Sequence, residues 1–270
     1  MDQLGFIRHA PKVEGGKARR PLAESGLSFS DQLLWEETVA MLGIKDDPGI
    51  TYESLPLIKK MAEQIYEELP EKALAIFTST TYPRTRMTSA LLQVELMRLI
   101  KEGEKEIGVA SAVEPSVEEA AQPDSRSNLL NMKNESAGNQ RLMRELKDRE
   151  YPDDQEFEAY LQSGANTTFA RENEMLRAAV NEDLASGSNS FYRKRLGLLR
   201  EQLRKVKDAF TKINGNDPVY FYAVGHHPNL ITLDVALNGR AEYQDGEIQQ
   251  PLTVVKADRE KLEKFLEEKS

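Results

Sequence analysis

The chain has 270 residues and no cysteine, so disulfide bridges, cysteine nucleophiles and thiolate metal sites are excluded. Its formal net charge of -9 opposes nonspecific binding to nucleic acid or anionic lipid, although a local basic pocket is compatible with a bound anion. Because no run approaches the roughly 18 apolar residues of a membrane span and the start "MDQLGFIRHA" lacks the features of a secretory signal, we expect a cytoplasmic protein with no membrane or nucleic-acid partner.

The first part of the sequence alternates strand patterns with helix patterns. Strands are indicated by short apolar runs, and helices by apolar residues that recur every three or four positions. A loop with four basic residues follows the first strand. The predicted elements, in chain order, are strand 3–8, helix 28–42, helix 55–69, strand 73–80, helix 86–100 and strand 107–113.

The second part begins with a polar, apparently helical region over about 117–215, which we interpret as a cap inserted into a single domain of residues 1–270. The remaining predicted elements are strand 218–225, a helix from Pro228, edge strand 251–257 and a closing helix from Asp258, its expected N-cap. This alternation predicts an α/β fold, a three-layer α/β/α sandwich around a mainly parallel sheet.

Arginine and histidine follow three of the predicted strands. The first strand leads into Arg8 and His9, the second into "TSTTYPRTRMT" at 78–88, and the strongest strand into "GHH" at 225–227. Ligands of open parallel sheets bind beyond the carboxyl ends of the strands. Since the guanidinium fork donates paired hydrogen bonds to phosphate oxygens, this edge of the sheet is expected to bind phosphate.

Four motifs occur in a fixed order: "RHA" at 8–10, "RPLAESG" at 20–26, "STTYPRTRMTSA" at 79–90 and "VGHHPNL" at 224–230. Together they resemble the histidine phosphatase superfamily, whose fold is also called phosphoglycerate mutase-like. Among its branches, the motifs are most similar to those of the bacterial phosphohistidine phosphatases, although Ala23 replaces the usual threonine. The resemblance covers roughly residues 3–118 and 217–257 and leaves the helical insertion unmatched.

The resemblance implies that His9 is a nucleophile that forms a phosphohistidine, without cofactor or metal. Neutral imidazole suits this role, because its ordinary pKa of about 6.5 leaves much of it unprotonated near neutrality. Arg8, Arg84 and His226 are then expected to hold the phosphate oxygens. Without the other motifs, a core histidine at a strand end would be the favoured interpretation of His9.

The spacing of the third motif selects one of two neighbouring arginines. Arg84 falls five residues after Ser79 and four before Thr88, as in the family's "SSPxxRAxxTA" pattern. Arg86 does not fit that register and is expected on a helix surface. The same position on a helix surface is the alternative for Arg84.

Three further residues have less defined roles. Glu119 best matches the family's general acid, but the following "AAQPDSRSN" departs from the glycine-rich continuation of the mutases. Arg20 is expected either to contact phosphate or to anchor its loop. His227 either lines the pocket or faces solvent, and zinc is disfavoured because adjacent side chains in a turn usually diverge and only His9 remains as a third histidine.

The implied activity is that of a metal-independent phosphatase acting on a phosphomonoester or a phosphoramidate. Its substrate is expected to be a phosphorylated small molecule or a phosphoprotein. One alternative is phosphotransfer of the phosphoglycerate mutase type. Another is a catalytically idle protein that binds a phosphorylated ligand and uses its insertion to bind a partner.

Overall fold

A computed structural model describes residues 2–11, 21–44, 49–79, 82–111, 217–225 and 251–267, together with single residues and short runs between 144 and 237. The predicted insertion over 117–215 lies mostly outside these residues, so the division into core and cap stays a prediction. No helix within the described part of the chain is long and apolar enough to cross a lipid bilayer.

The core is a five-stranded sheet in which four neighbouring strands run parallel. Its strands are β1 (Gln3–Arg8), β2 (Lys72–Ser79), β3 (Glu106–Ser111), β4 (Val219–Gly225) and β5 (Val254–Asp258). Their order across the sheet is β3-β2-β4-β1-β5, and β5 pairs with β1 in the antiparallel direction. The predicted mainly parallel sheet is therefore confirmed, and β5 lies at an edge as expected.

Among the described residues, four helices pack around this sheet: α1 (Phe29–Met41), α2 (Ser54–Glu68), α3 (Pro83–Glu102) and α4 (Arg259–Glu267). A short 3-10 turn, Leu22–Glu24, precedes α1. Helix α3 begins three residues earlier than the sequence pattern predicts, because Pro83 occupies its first turn, where the fixed φ of proline fits and no N–H is needed.

Side-chain caps fix the starts of two helices. The Ser28 hydroxyl accepts a hydrogen bond from the Asp31 backbone N–H at 3.2 Å, at the start of α1. The Asp258 carboxylate accepts one from the Lys261 N–H at 2.9 Å, which confirms the predicted cap of α4.

Both faces of the sheet are covered by helices. Side chains alternate between the faces, so that Ile7, Phe77 and Tyr222 belong to the cluster that α2 and α3 bury. Leu4 and Phe6 have the opposite parity and are also buried. Helix α4 contacts β1 and β5 and buries its own apolar side chains, which completes a three-layer α/β arrangement.

The position of β4 between β2 and β1 aligns the carboxyl ends of these three strands. Arg8 at the end of β1 lies opposite Gly225 at the end of β4, and Ser79 at the end of β2 lies opposite Val224. The His9 backbone N–H donates to the Gly225 carbonyl at 3.0 Å, which extends the pairing one residue beyond β1. Chain segments that follow these strands consequently start at one edge of the sheet.

Candidate active site

His9 lies directly after β1 and is only 8% exposed. Its ring Nδ1 is 2.7 Å from the backbone carbonyl oxygen of Ala10. Because a carbonyl oxygen can only accept a hydrogen bond, Nδ1 must carry the proton. The neutral ring therefore has its lone pair on Nε2, the nitrogen that can act as a nucleophile or base.

The backbone around His9 is anchored to three parts of the fold. The His9 N–H binds β4 through Gly225, as described above. The Ala10 N–H donates to the Thr88 hydroxyl on α3 at 3.1 Å. The Pro11 carbonyl accepts from the Thr51 N–H at 3.0 Å, just before α2. Restraint from three directions fixes the ring in place, as positioned chemistry requires.

Thr88 also connects this loop to the predicted anion-binding arginine of α3. Its hydroxyl donates to the Arg84 carbonyl at 2.7 Å while it accepts the Ala10 N–H. A threonine hydroxyl has one donor and two acceptor sites, so both bonds form at once. One buried hydroxyl thereby joins the segment that carries His9 to the turn that carries Arg84.

Burial acts on the charge of both predicted phosphate ligands. It lowers the pKa of the half-buried Arg8 guanidinium to about 10. Burial likewise lowers the pKa of Arg84, and an electrostatic interaction with Tyr82 partly opposes that shift. The Arg84 guanidinium carbon also lies 5.3 Å from the centroid of the Tyr82 ring, within range of a cation–π interaction. Because low dielectric penalises a cation, an anion next to these two groups is favoured.

Arg86 has a different environment from Arg84. Its Nη2 donates to the Leu42 carbonyl at 3.0 Å, directly after the last residue of α1. The guanidinium therefore caps the carboxyl end of a helix, where a cation also favours the helix dipole. The two arginines of α3 thus offer a natural comparison between anion binding and structural support.

The other predicted site residues lie outside the part of the chain that the structure describes. These are Arg20, Glu119, His226 and His227. His226 is the next residue in sequence after Gly225, whose carbonyl binds the His9 N–H. The roles assigned to all four stay predictions.

Sequence reasoning gave Thr88 no role, although it served to set the spacing of Arg84. A threonine within an apolar helix is usually interpreted as a core residue, and Thr88 is indeed fully buried. The role of Thr88 could have been recognised from its position four residues after Arg84. In a helix, a threonine hydroxyl at that spacing reaches the backbone carbonyl of the residue one turn earlier.

The arrangement provides the elements of phosphate chemistry at one sheet edge. His9, with its lone pair on Nε2, directly follows Arg8 in sequence at the end of β1. Thr88 links the backbone of this segment, at the Ala10 N–H, to the backbone carbonyl of Arg84. A neutral imidazole can attack an electrophilic centre, and buried cations stabilise the negative charge that builds up on its oxygens.

Comparison with known proteins gives distant structural likenesses and no sequence match. No protein-family model matches the chain, and no curated protein matches it. The chain is similar to a mycobacterial glucosyl-3-phosphoglycerate phosphatase in complex with VO3, at a TM-score of 0.38 and 10% identity over 95% of this chain and 90% of that one. It is also similar to a phytase from Klebsiella sp. ASR1, at a TM-score of 0.37 and 13% identity over 94% and 77% of the two chains.

A phytase from D. castellii has a TM-score of 0.36 and 13% identity over 90% of this chain and 63% of that one. TM-scores below 0.5 give these likenesses no weight for function. The assignment of an activity consequently depends on the residues of this chain.

Replacing Thr88 tests the connection between the two segments. Thr88→Val keeps the shape but leaves the Ala10 N–H without its acceptor, at an expected cost of about 1–3 kcal/mol in the free energy of unfolding. Thr88→Ser keeps the hydroxyl and serves as the control. Hydrogen exchange of the Ala10 amide should accelerate in the valine variant and stay slow in the serine variant; equal protection in both would contradict the assigned bond.

Proposed function

We propose that the protein is a metal-independent phosphatase that hydrolyses a phosphomonoester or a phosphoramidate through a phosphohistidine at His9. The observation that carries this proposal is the 2.7 Å contact between His9 Nδ1 and the Ala10 carbonyl, which leaves the lone pair of the neutral ring on Nε2. The ordered motifs shared with the histidine phosphatases give the proposal further support. The setting we propose is cytoplasmic.

In the first step, the Nε2 lone pair of His9 forms a bond to phosphorus while the bond from phosphorus to the leaving group breaks. The ring gains positive charge as this bond forms, and the Ala10 carbonyl, which accepts the Nδ1 proton, stabilises that charge. In the second step, water forms a bond to phosphorus while the bond from phosphorus to Nε2 breaks. The electron pair of that bond returns to Nε2, the protons of water leave with the released phosphate, and neutral His9 is restored. Two modest barriers replace one high barrier.

The two arginines stabilise the transferring phosphoryl group. Its charge is spread over three equatorial oxygens, which suit the paired donors of guanidinium groups. Because both Arg8 and Arg84 are half-buried, water screens their charge less, and their stabilisation of an oxyanion is stronger than it would be in water.

The remaining predicted residues complete the proposed site. His226, next in sequence to Gly225, is proposed to donate a hydrogen bond to a phosphate oxygen from the end of β4. Glu119 is proposed to protonate an alkoxide leaving group, and Arg20 and His227 are proposed to contact the substrate. A phosphoramidate depends less on Glu119, because its nitrogen leaving group is readily protonated.

The substrate class is a phosphorylated small molecule or a phosphoprotein, with phosphohistidine preferred on the resemblance to the bacterial phosphohistidine phosphatases. The insertion over 117–215 is proposed to cover the pocket and to select the leaving group, as caps at strand ends commonly do.

Hydrolysis of p-nitrophenyl phosphate in EDTA tests the proposal. His9→Ala should lose about 10³-fold or more of the wild-type rate, because the nucleophile is removed. Its urea unfolding midpoint is the control for folding. Wild-type activity in His9→Ala, or loss of wild-type activity in EDTA, would refute the metal-independent histidine mechanism.

Two further measurements, an assay with 3-phosphoglycerate as the substrate and a titration with inorganic phosphate, separate the alternatives. Conversion of 3-phosphoglycerate to 2-phosphoglycerate that outpaces phosphate release would favour the mutase. Absence of both reactions, with saturable binding of inorganic phosphate, would favour an idle phospho-ligand-binding protein.

Arg84→Ala and Arg86→Ala form a matched pair on α3. Loss of Arg84 should lower kcat/KM by about 10²–10³-fold, since a positioned donor to the transition state contributes about 2.7–4 kcal/mol. Loss of Arg86 should lower the free energy of unfolding by about 1 kcal/mol, through the bond to Leu42. Arg86→Ala should change kcat/KM by less than about threefold, which corresponds to a change of less than about 1 kcal/mol in transition-state stabilisation. The opposite pattern in steady-state kinetics and urea unfolding would exclude Arg84 as the phosphate ligand.

A further inference from the structure

Tyr82 lies directly before α3, two residues from the proposed phosphate ligand Arg84. Its side chain is half-buried, and the Arg84 guanidinium carbon lies over its ring, 5.3 Å from the ring centroid. That distance is within the roughly 6 Å at which the face of an aromatic ring attracts a cation. The Tyr82 ring is therefore a direct neighbour of a charge that the proposed mechanism directs at phosphate.

The backbone of Tyr82 has a structural use that does not involve the ring. Its carbonyl accepts hydrogen bonds from the Thr85 N–H at 3.1 Å, the Arg86 N–H at 3.0 Å and the Thr85 hydroxyl at 2.9 Å. Its φ of -68° and ψ of 137° are extended values, which the following Pro83 favours for any side chain. An aliphatic residue at this position would keep these bonds, so they do not explain an aromatic ring.

Core packing does not explain the ring either. Among the described residues, the apolar cluster of the sheet and its helices includes the rings of Trp35 and Tyr52 but not that of Tyr82. The rings of Trp35 and Tyr52 contact each other edge to face, with centroids 4.9 Å apart. The Tyr82 ring instead contacts a cation near the carboxyl edge of the sheet.

The side chain of Arg84 is also contacted at its base. A Cβ atom at Gly49 would lie 3.4 Å from the Arg84 Cβ, so the backbone before α2 passes close to the start of this side chain. Gly49 has a φ of 75°, a conformation that favours glycine. Gly49 at the aliphatic base and Tyr82 at the guanidinium together restrict the rotamers of Arg84.

An aromatic partner suits an anion-binding arginine better than a carboxylate does. On the same helix, Arg98 is held by the carboxylates of Glu95 and Glu102, at 2.9 and 2.6 Å, which compensate its charge. The face of a ring attracts a cation through its quadrupole and carries no net charge. Since the ring covers a face of the planar guanidinium, it does not compete with phosphate oxygens for the N–H donors at the edge.

We propose that Tyr82 is a positioning residue, whose ring orients the Arg84 guanidinium for an oxyanion at the carboxyl edge of the sheet. The proposal rests on one part of the proposed function, the role of Arg84 as a phosphate ligand. It does not require the phosphohistidine step, because it concerns binding of the anion and not its transfer.

Titration of the 15N-labelled full-length protein with inorganic phosphate, in EDTA and at constant ionic strength, tests the proposal without turnover. Tyr82→Leu removes the ring and keeps the backbone bonds, so the dissociation constant from amide shifts should rise about fivefold. Tyr82→Phe keeps the ring and should stay within about twofold of the wild type. Urea unfolding midpoints are the control for folding, and Tyr82→Gln replaces the leucine variant if that variant does not fold.

A double-mutant cycle shows whether the ring acts through Arg84. In an Arg84→Ala background, Tyr82→Leu should change the dissociation constant by less than about twofold, because the side chain that the ring orients is gone. Tyr66→Leu is the matched control. The Lys105 ammonium lies 4.8 Å from the centroid of the Tyr66 ring, at the amino end of β3, so this variant should leave phosphate binding unchanged.

The results separate this proposal from the proposed function. An unchanged dissociation constant in folded Tyr82→Leu, or an equal rise in Tyr82→Phe, would overturn the positioning role. An equal effect of Tyr82→Leu with and without Arg84 would do the same, as would absence of saturable phosphate binding to the wild type, even with hydrolysis intact. Phosphate binding with the expected pattern, but without hydrolysis by the wild type, would refute the phosphatase and support the positioning role.

Discussion

The parallel pairing of β1 with β4 is the constraint on which the candidate site depends. These strands come from opposite ends of the sequence, and their register places Arg8 opposite Gly225. The hydrogen bond from the His9 N–H to the Gly225 carbonyl then extends the pairing to the residue proposed as the nucleophile. Since β2 ends level with β4 on the other side, α3 begins at the same edge and brings its first turn, with Arg84, to the site.

Two further interactions organise the candidate site at this edge. The Ala10 carbonyl sets the tautomer of His9, and the Thr88 hydroxyl joins the loop of His9 to the turn of Arg84. Both interactions involve neutral backbone groups, so they position the chain segments of His9 and Arg84 and add no charge to the site. The cost of keeping Arg8 and Arg84 half-buried appears as lowered pKa values. A bound oxyanion offsets that cost, which couples the electrostatics of the fold to its proposed use.

Local features of the fold were predictable from sequence, whereas its long-range connections were not. The bounds of β1, the edge position of β5 and the Asp258 cap followed from apolar runs and capping chemistry, which act over a few residues. The sequence pattern did not predict that β4 inserts between β2 and β1, because periodicity carries no information on pairing partners. The role of Thr88 was not predicted for the same reason, since its bond to Ala10 joins segments that are distant in sequence. Helix α3 is longer at its start than the apolar pattern predicted, because a helix can begin at a proline such as Pro83.

The proposal that His9 attacks phosphorus through Nε2 is tested by identifying which ring nitrogen carries the phosphate. Rapid quenching of the enzyme with p-nitrophenyl phosphate, followed by peptide mapping and 31P–15N NMR of the trapped peptide, distinguishes the two isomers of phosphohistidine. We expect phosphate on Nε2 of His9, because Nδ1 donates its proton to the Ala10 carbonyl. Phosphate on Nδ1, or on a residue other than His9, would contradict it.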